Sequence, residues 1–242
     1  MDWEYIYGLD TEDYIYGFET EDFIYGYSGD DDVYGYGGDD YIYTGYGNDW
    51  AAGGYGIDII YGEFGNDVLY GEYGEDDLYG GVGNDNLFGG FGADDLFGGS
   101  GLDKLNGGSE NDWLVGGVGR DYLAGGSGSD TFVFTKGASG LSSTTADVIT
   151  DWNGAFDFID MPNRGTYANY EEAGTTATSI STAVAQANSW FPDPSVQHVF
   201  LHNPYIDKGF LISDVNRDGA FDTGIVLNKA GYASDFSYFD IV

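Results

Sequence analysis

The sequence predicts an all-β solenoid of nine-residue repeats over residues 1–134, followed over residues 135–242 by a β-rich cap containing one helix. Three observations predict it. An Asp recurs every nine residues from Asp13 to Asp130 without a slip, and Glu4 holds the same column one repeat earlier. Two residues after each acid stands one apolar side chain, from Ile6 through Ile60 and Leu87 to Phe132. Two residues before the acid stands Gly, from Gly29 to Gly128, with Glu110 the one exception in that range. A short period with one apolar residue per unit builds a solenoid, because each unit can bury its side chain only against neighbouring units. Within a unit, six polar, Gly-rich residues make a turn. The other three make a short strand whose central residue faces inward, because side chains alternate along a strand.

A cleanly formed unit is Gly80-Gly81-Val82-Gly83-Asn84-Asp85-Asn86-Leu87-Phe88. It resembles the RTX (repeats-in-toxin, haemolysin-type calcium-binding) motif, Gly-Gly-x-Gly-x-Asp-x-apolar-x. The resemblance implies a right-handed parallel β-roll with two repeats per coil. It also implies calcium ions between each loop and the loop eighteen residues further on. The acids then form two stacks: Asp31, Asp49, Asp67, Asp85, Asp103, Asp121, and Asp40, Asp58, Asp76, Asp94, Asp112, Asp130. One ion in each gap makes about ten ions. Carbonyl co-ligands are implied at loop glycines Gly54, Gly56, Gly81, Gly83, Gly90, Gly92, Gly99, Gly101, Gly117 and Gly119. The physical chemistry agrees. Calcium takes about six to eight hard oxygen ligands, and Gly lets a backbone turn its carbonyl where other residues cannot. Acids stacked about 4.8 Å apart repel one another unless cations lie between them. The alternatives are a metal-free Asp ladder or a disordered low-complexity tract.

Residues 2–22 keep the period but place Thr11 and Thr20 where the third Gly belongs. They are predicted to cap the N-terminal strand edge, and to bind calcium weakly or not at all. Further along, Thr44 replaces a first Gly, Glu63 and Glu72 replace second ones, and Glu110 replaces a third. Ala51 is the one small residue of the inward column, which predicts a gap beside Ile42 and Ile60. One outward face carries Tyr7, Tyr25, Tyr43, Tyr61, Tyr79, Phe97, and beside them Tyr5, Phe23, Tyr41, Ile59, Asp77, Asp95. The opposite face carries Tyr16, Tyr34, Ala52, Tyr70, Phe88. These aromatic ladders either stiffen the roll by cross-strand packing or form a binding face for a sugar, a partner chain or a second copy. They are not the flat Thr or Asn array that ice binding needs.

After Phe134 the period stops, and residues 135–242 hold all four prolines. Asp147-Val148-Ile149-Thr150-Asp151-Trp152, with Asp157-Phe158-Ile159-Asp160, resembles the end of the serralysin-type C-terminal domain. That resemblance implies a segment that leaves the roll and covers its open end. Asp147 and Asp151 are the candidates for a last calcium site, and the cap is expected to bury Trp152 and Phe158. Residues 177–190 predict one amphipathic helix, with Ile180, Val184 and Ala187 on its apolar face. Strands are predicted near residues 196–201, 210–213 and 225–227. Between the last two, Asp214, Asn216, Asp218 and Asp222, with Gly219, match the first part of an EF-hand-like calcium loop, although Ile225 stands where a bidentate Glu is expected. The other reading is a polar turn held by Asx hydrogen bonds. The terminal Phe239-Asp240-Ile241-Val242 resembles the uncleaved signal of type I secretion substrates, which makes that machinery an expected partner.

Net charge is −35; no Lys or Arg precedes Lys104, whereas residues 1–103 hold 25 Asp and Glu. That field disfavours nucleic acid and anionic membrane surfaces as partners of the front half. There is no Cys, hence no disulfide, and no run of eighteen apolar residues that would make a transmembrane helix. The acidic start Met1-Asp2-Trp3-Glu4 lacks the basic and apolar regions of a secretory signal peptide. His198 and His202 lack the Glu of the zinc-protease pattern, and neither a nucleophile elbow nor a phosphate loop occurs. The repeats begin close to Met1, which leaves no room there for a catalytic domain. The expected function is therefore non-enzymatic: a bacterial, secreted, extracellular calcium-binding β-roll that folds on meeting calcium and has a structural or binding role. The alternatives are the folding and secretion module of a larger secreted protease or lipase, and a membrane-active secreted protein. The charged cap at the start favours the first.

Overall fold

One apolar residue in nine makes a core only if the coils stack those residues directly on one another. The computed structural model describes residues 4–135, 139–140, 145–153, 156–160, 170–174, 177, 179–190, 198–203, 208–213 and 223–228. Within it, parallel strands pair each residue with the one eighteen further on. Ile60 lies beside Leu78 and Leu78 beside Leu96 in one sheet, while Leu69, Leu87 and Leu105 line up in the other. Successive repeats alternate between the two sheets. One sheet has nine strands, from Glu4–Tyr7 to Phe158–Asp160; the other has twelve, from Tyr14–Tyr16 to Tyr170–Gly174. The result is a parallel β-solenoid of about seven turns with two repeats per coil. The inward column from Ile15 to Phe132 is buried and continues into Ile149, Trp152, Ile159, Leu211, Ile225 and Leu227.

The strands are longer than the three residues expected. Typical ones are Tyr41–Tyr46 and Asp77–Val82. The first residues of each loop stay in the ladder, as Gly81 and Val82 do beside Gly99 and Ser100. The turn proper is thus confined to the residues just before and including the Asp. On one loop edge an amide ladder adds further links. Asn66 donates its Nδ2 to Asn48 Oδ1 at 2.8 Å, and Asn84 donates its Nδ2 to Asn66 Oδ1 at 3.0 Å.

The outward rings stack as the spacing predicts. Tyr7, Tyr25, Tyr43, Tyr61, Tyr79 and Phe97 form a continuous ladder with centroids 4.7–5.6 Å apart. On the opposite face Trp50 bridges the interruption at Ala52, with its indole 4.8 Å from Tyr34 and 5.6 Å from Tyr70. Ala52 itself is buried. Ala51 is also buried, and its neighbours along the sheet are Val33 and Leu69; Ile42 and Ile60 belong to the facing sheet.

Past Val133 the offset changes but both sheets continue. Tyr122 pairs with Val148, and Thr131 pairs with Phe158. The strand Asp147–Ile149 pairs parallel with Thr223–Asn228; antiparallel pairing then adds Lys208–Ser213 and His198–Asn203. The helix spans Ile180–Trp190 and starts later than expected, because Ser179 and Thr182 cap it reciprocally through their hydroxyls and N–H groups. Its Ile180, Ala183 and Ala187 pack with Leu201, Phe210 and Ile212. Trp152 is buried, 6.2 Å from the Phe132 ring. Phe158 is not: it stays 38% exposed, because it shares register with outward Thr131 while Ile159 takes the inward place beside Phe132. The loop with Asp214, Asn216, Asp218 and Asp222 and the terminal residues 239–242 lie outside the described residues. Among the described residues, no helix is long and apolar enough to cross a membrane.

Candidate metal sites

Each column Asp closes a turn just before its strand, so the register sets Asp over Asp. The main-chain N–H of each donates to Oδ1 of the Asp one coil ahead. Asp67 donates to Asp85 and Asp85 to Asp103, both at 2.9 Å. One chain of such bonds runs from Asp31 through Asp49 and Asp121 to Asp147; the other runs from Asp40 through Asp58 and Asp130 to Asp157. All twelve predicted acids therefore stand in two columns, and Asp147 continues the first. Asp157 was missed because the offset lengthens there; the repeated order Asp-x-apolar, in Asp157-Phe158-Ile159 as in Asp130-Thr131-Phe132, would have found it. Asp151 turns elsewhere and accepts the N–H groups of Gly125 and Gly126.

These carboxylates are buried, and the second oxygen is an orphan. Oδ2 has no hydrogen-bond partner in any column member from Asp31 to Asp121, nor in Asp147. Asp22 likewise has a buried, unpartnered Oδ1. Burial pushes the carboxyls up, neighbouring acids add to the shift, and the donated N–H opposes it. Asp31 is raised to about 6, Asp67 to about 7 and Asp76 to about 8.

In the loops from Gly26 to Gly116 that keep their first Gly, the orphan oxygen faces a cradle at that Gly. A Cβ on Gly80 would stand 2.6 Å from Asp85 Oδ2 and 2.6 Å from the Gly98 carbonyl oxygen one coil ahead. At Gly98 the corresponding oxygens are those of Asp103, at 2.7 Å, and Gly116, at 2.5 Å. The expected co-ligand glycines, from Gly54 and Gly56 to Gly117 and Gly119, all hold positive φ. Their carbonyls press on the next coil; Gly83 O, for example, occupies the place of a Cβ on Gly101. Among the described residues no three acidic or imidazole side chains converge on one point. The donor set is therefore one carboxylate with main-chain carbonyls, all hard oxygen, which is the set calcium uses.

The family model for the RTX calcium-binding nonapeptide repeat matches residues 3–33, 16–50, 43–76, 70–105 and 97–132. The chain belongs to this RTX family. No curated protein matches it. Among solved structures it is similar to the AlgE6R2 subunit of the Azotobacter vinelandii mannuronan C5-epimerase, at 22% identity and a TM-score of 0.39, over 73% of this chain and 87% of that one. It is also similar to the AlgE6R3 subunit of the same epimerase, at 18% identity and a TM-score of 0.29, over 97% of this chain and 80% of that one.

Departures from the RTX pattern have visible consequences. At Thr44 the side chain enters the cradle itself, and its hydroxyl donates to Gly62 O at 3.0 Å. At Asp13, Asp22 and Asp157 the carboxylate closes on its own loop. Asp13 Oδ2 accepts from Leu9 N at 2.5 Å, Asp22 Oδ2 from Phe18 N at 2.7 Å, and Asp157 Oδ2 from Asn153 N at 2.8 Å. Five side chains occupy left-handed backbone where the motif has Gly: Tyr27, Tyr36, Glu63, Glu72 and Glu110. Of these, the two tyrosines drew no notice in the sequence.

Proposed function

We propose that this RTX chain is a secreted, extracellular protein that folds on meeting calcium and has a structural or binding role, without catalysis of its own. The observation that carries this reading is the row of buried carboxylate oxygens with no partner, each beside a carbonyl-lined cradle. Buried polar groups are nearly always satisfied, and a buried carboxylate without a partner is costly. Calcium would be held by the column acids Asp31 to Asp130, by Asp147, and by carbonyls of the adjacent loops, and about ten ions would fill the gaps. The bound ion supplies positive charge and oxygen coordination. The chain itself supplies the spacing, the exclusion of water and the ladder that keeps the acids in register.

Folding would then be coupled to binding, because the site exists only when coils are stacked. Residues 1–103 hold 25 acids and no base, which favours an unfolded chain wherever calcium is scarce. Such a chain remains exportable, in keeping with passage through a type I secretion system and folding outside. A serralysin-like role for residues 135–242, closing the end of the roll, is supported by the sheet that runs on from Tyr122–Ser127 into Asp147–Ile149.

Circular dichroism in millimolar calcium and in excess chelator tests the reading, together with native mass spectrometry. Expected at about pH 8, where the buried acids of a metal-free chain oppose folding, are β structure only with calcium, and about ten bound ions. Full β structure in chelator at about pH 8 would overturn the coupling. Fewer than about four ions would overturn the sites.

A further inference from the structure

The sheet register brings unlike side chains to one place on the outer edge of the roll. At the second position of the motif, successive coils carry Tyr27, Gly45 and Glu63. Gly45 leaves a slot one residue wide between two side chains. The slot opens into a cleft of about 390 Å³ lined by Tyr25, Tyr27, Tyr43, Gly45, Tyr46 and Glu63. Tyr46 is the first ring of its own ladder, 4.8 Å from Phe64, and Ser28 takes the place one coil back, so the ladder stops at the cleft. Tyr27 packs 6.4 Å from both Tyr7 and Tyr25, and the coil ahead of it offers only Gly45.

The backbone here is strained for the sake of these side chains. Tyr27 has φ 77° and Glu63 has φ 64°, left-handed values at positions where the motif has Gly. A side chain in that region costs energy that Gly would not. The same order recurs nine residues on, with Tyr36, Gly54 and Glu72 aligned in the other sheet and both side chains at φ 77°. Strain repeated at equivalent places, where relaxation needs only Gly, marks a selected feature.

We propose that this cleft binds an organic primary ammonium group, either a free alkylamine or a lysine side chain. This deepens the binding role proposed above and rests on it. Tyrosine ring faces attract cations, and the Glu63 carboxylate adds a charged acceptor for the ammonium N–H groups. The net charge of −35 draws cations toward the roll and repels polyanions. One carboxylate among phenols falls short of the six to eight oxygens, roughly, that calcium takes.

The test is calorimetric titration of the full, calcium-loaded chain with n-butylammonium and, separately, with Nα-acetyl-lysine methylamide, with methyl glucoside as control. Binding of either amine supports the proposal, and the tighter of the two assigns the source. Glu63→Gly and Tyr27→Gly should each weaken amine binding at least about tenfold, the loss of one charge-assisted or cation–π contact. Both should leave the melting temperature unchanged or raised, because Gly relaxes the left-handed backbone. Amine binding that survives both substitutions would show diffuse attraction to the acidic surface and overturn the cleft. So would binding of the glucoside alone, or a fall in calcium count in Glu63→Gly, which would make Glu63 a metal ligand. Loss of calcium-dependent folding in the unsubstituted chain would sink the function proposed above; intact folding without amine binding would sink only the cleft.

Discussion

The middle of the Asp column and its ends treat the same carboxylate in opposite ways. From Asp31 to Asp121 one oxygen accepts an N–H from the neighbouring coil and the other has no partner. At Asp13, Asp22 and Asp157 an oxygen turns back to an N–H four residues earlier, on Leu9, Phe18 or Asn153. Those three donors lie outside any strand, whereas the equivalent Gly81 in the middle is held in the ladder beside Gly99. Stacking between coils therefore takes away the local donor that would otherwise satisfy the acid. What it leaves in exchange is a carbonyl from the coil ahead. Those three acids close on their own loops, while the acids from Asp31 to Asp121, and Asp147 with them, are left open for a cation.

The largest way to break this contrast is to remove one closed end. A chain ending at Phe134 lacks Asp147, Asp157 and the strands that continue both sheets. It is expected not to fold at calcium levels that fold the whole chain, because a coil beside a preformed cap starts with half of its interface made. Hydrogen exchange of the whole chain in calcium should show protection rising from residue 6 toward residue 132. A truncated chain that folds equally well by circular dichroism would place the nucleus elsewhere.

Acidity acts on the whole middle at once. Unfolded Asp titrates near 3.9, roughly. Burial raises Asp31 to about 6, Asp40 and Asp103 to about 7, and Asp76 and Asp147 to about 8. Across that window the folded metal-free chain holds more protons than the unfolded one, so its stability is greatest at low pH and falls as pH rises from about 4 through about 8. In chelator, acidification from about pH 8 to about pH 4 should therefore restore β structure. With calcium the sign reverses, because protons compete for the same oxygens. A chelated chain that loses β structure on acidification would contradict the raised carboxyls.

Single substitutions sharpen the contrast further. Asp85→Asn keeps an oxygen for the Asp67 N–H but removes charge from the middle. It should destabilise the calcium form by about 3 kcal/mol, the scale of leaving a buried charge uncompensated. Asp13→Asn, at a closed end, should cost under about 1 kcal/mol. Equal shifts in denaturant midpoint would erase the distinction. The smallest effect is expected from Thr44→Gly, which empties a cradle now holding a hydroxyl. Stability should move by no more than about 1 kcal/mol, while native mass spectrometry finds one ion more. An unchanged count would mean that the hydroxyl never displaced an ion.

The amino-acid sequence by itself determined the period, the inward column and the two Asp stacks. A solenoid is a one-dimensional code in which each residue meets its counterparts at a constant offset, so Leu69, Leu87 and Leu105 could be aligned without coordinates. The six-ring ladder from Tyr7 to Phe97 was legible for the same reason. Tertiary structure alone decided whatever depends on an irregular offset or on space between coils. Asp157 enters its column across a longer connection, Trp50 swings over Ala52 to rejoin a broken ladder, and Thr44 fills a cradle that exists only when two loops are stacked. The orphan oxygens belong to this second group. A sequence shows an acid, but only packing shows that its partners have been taken away.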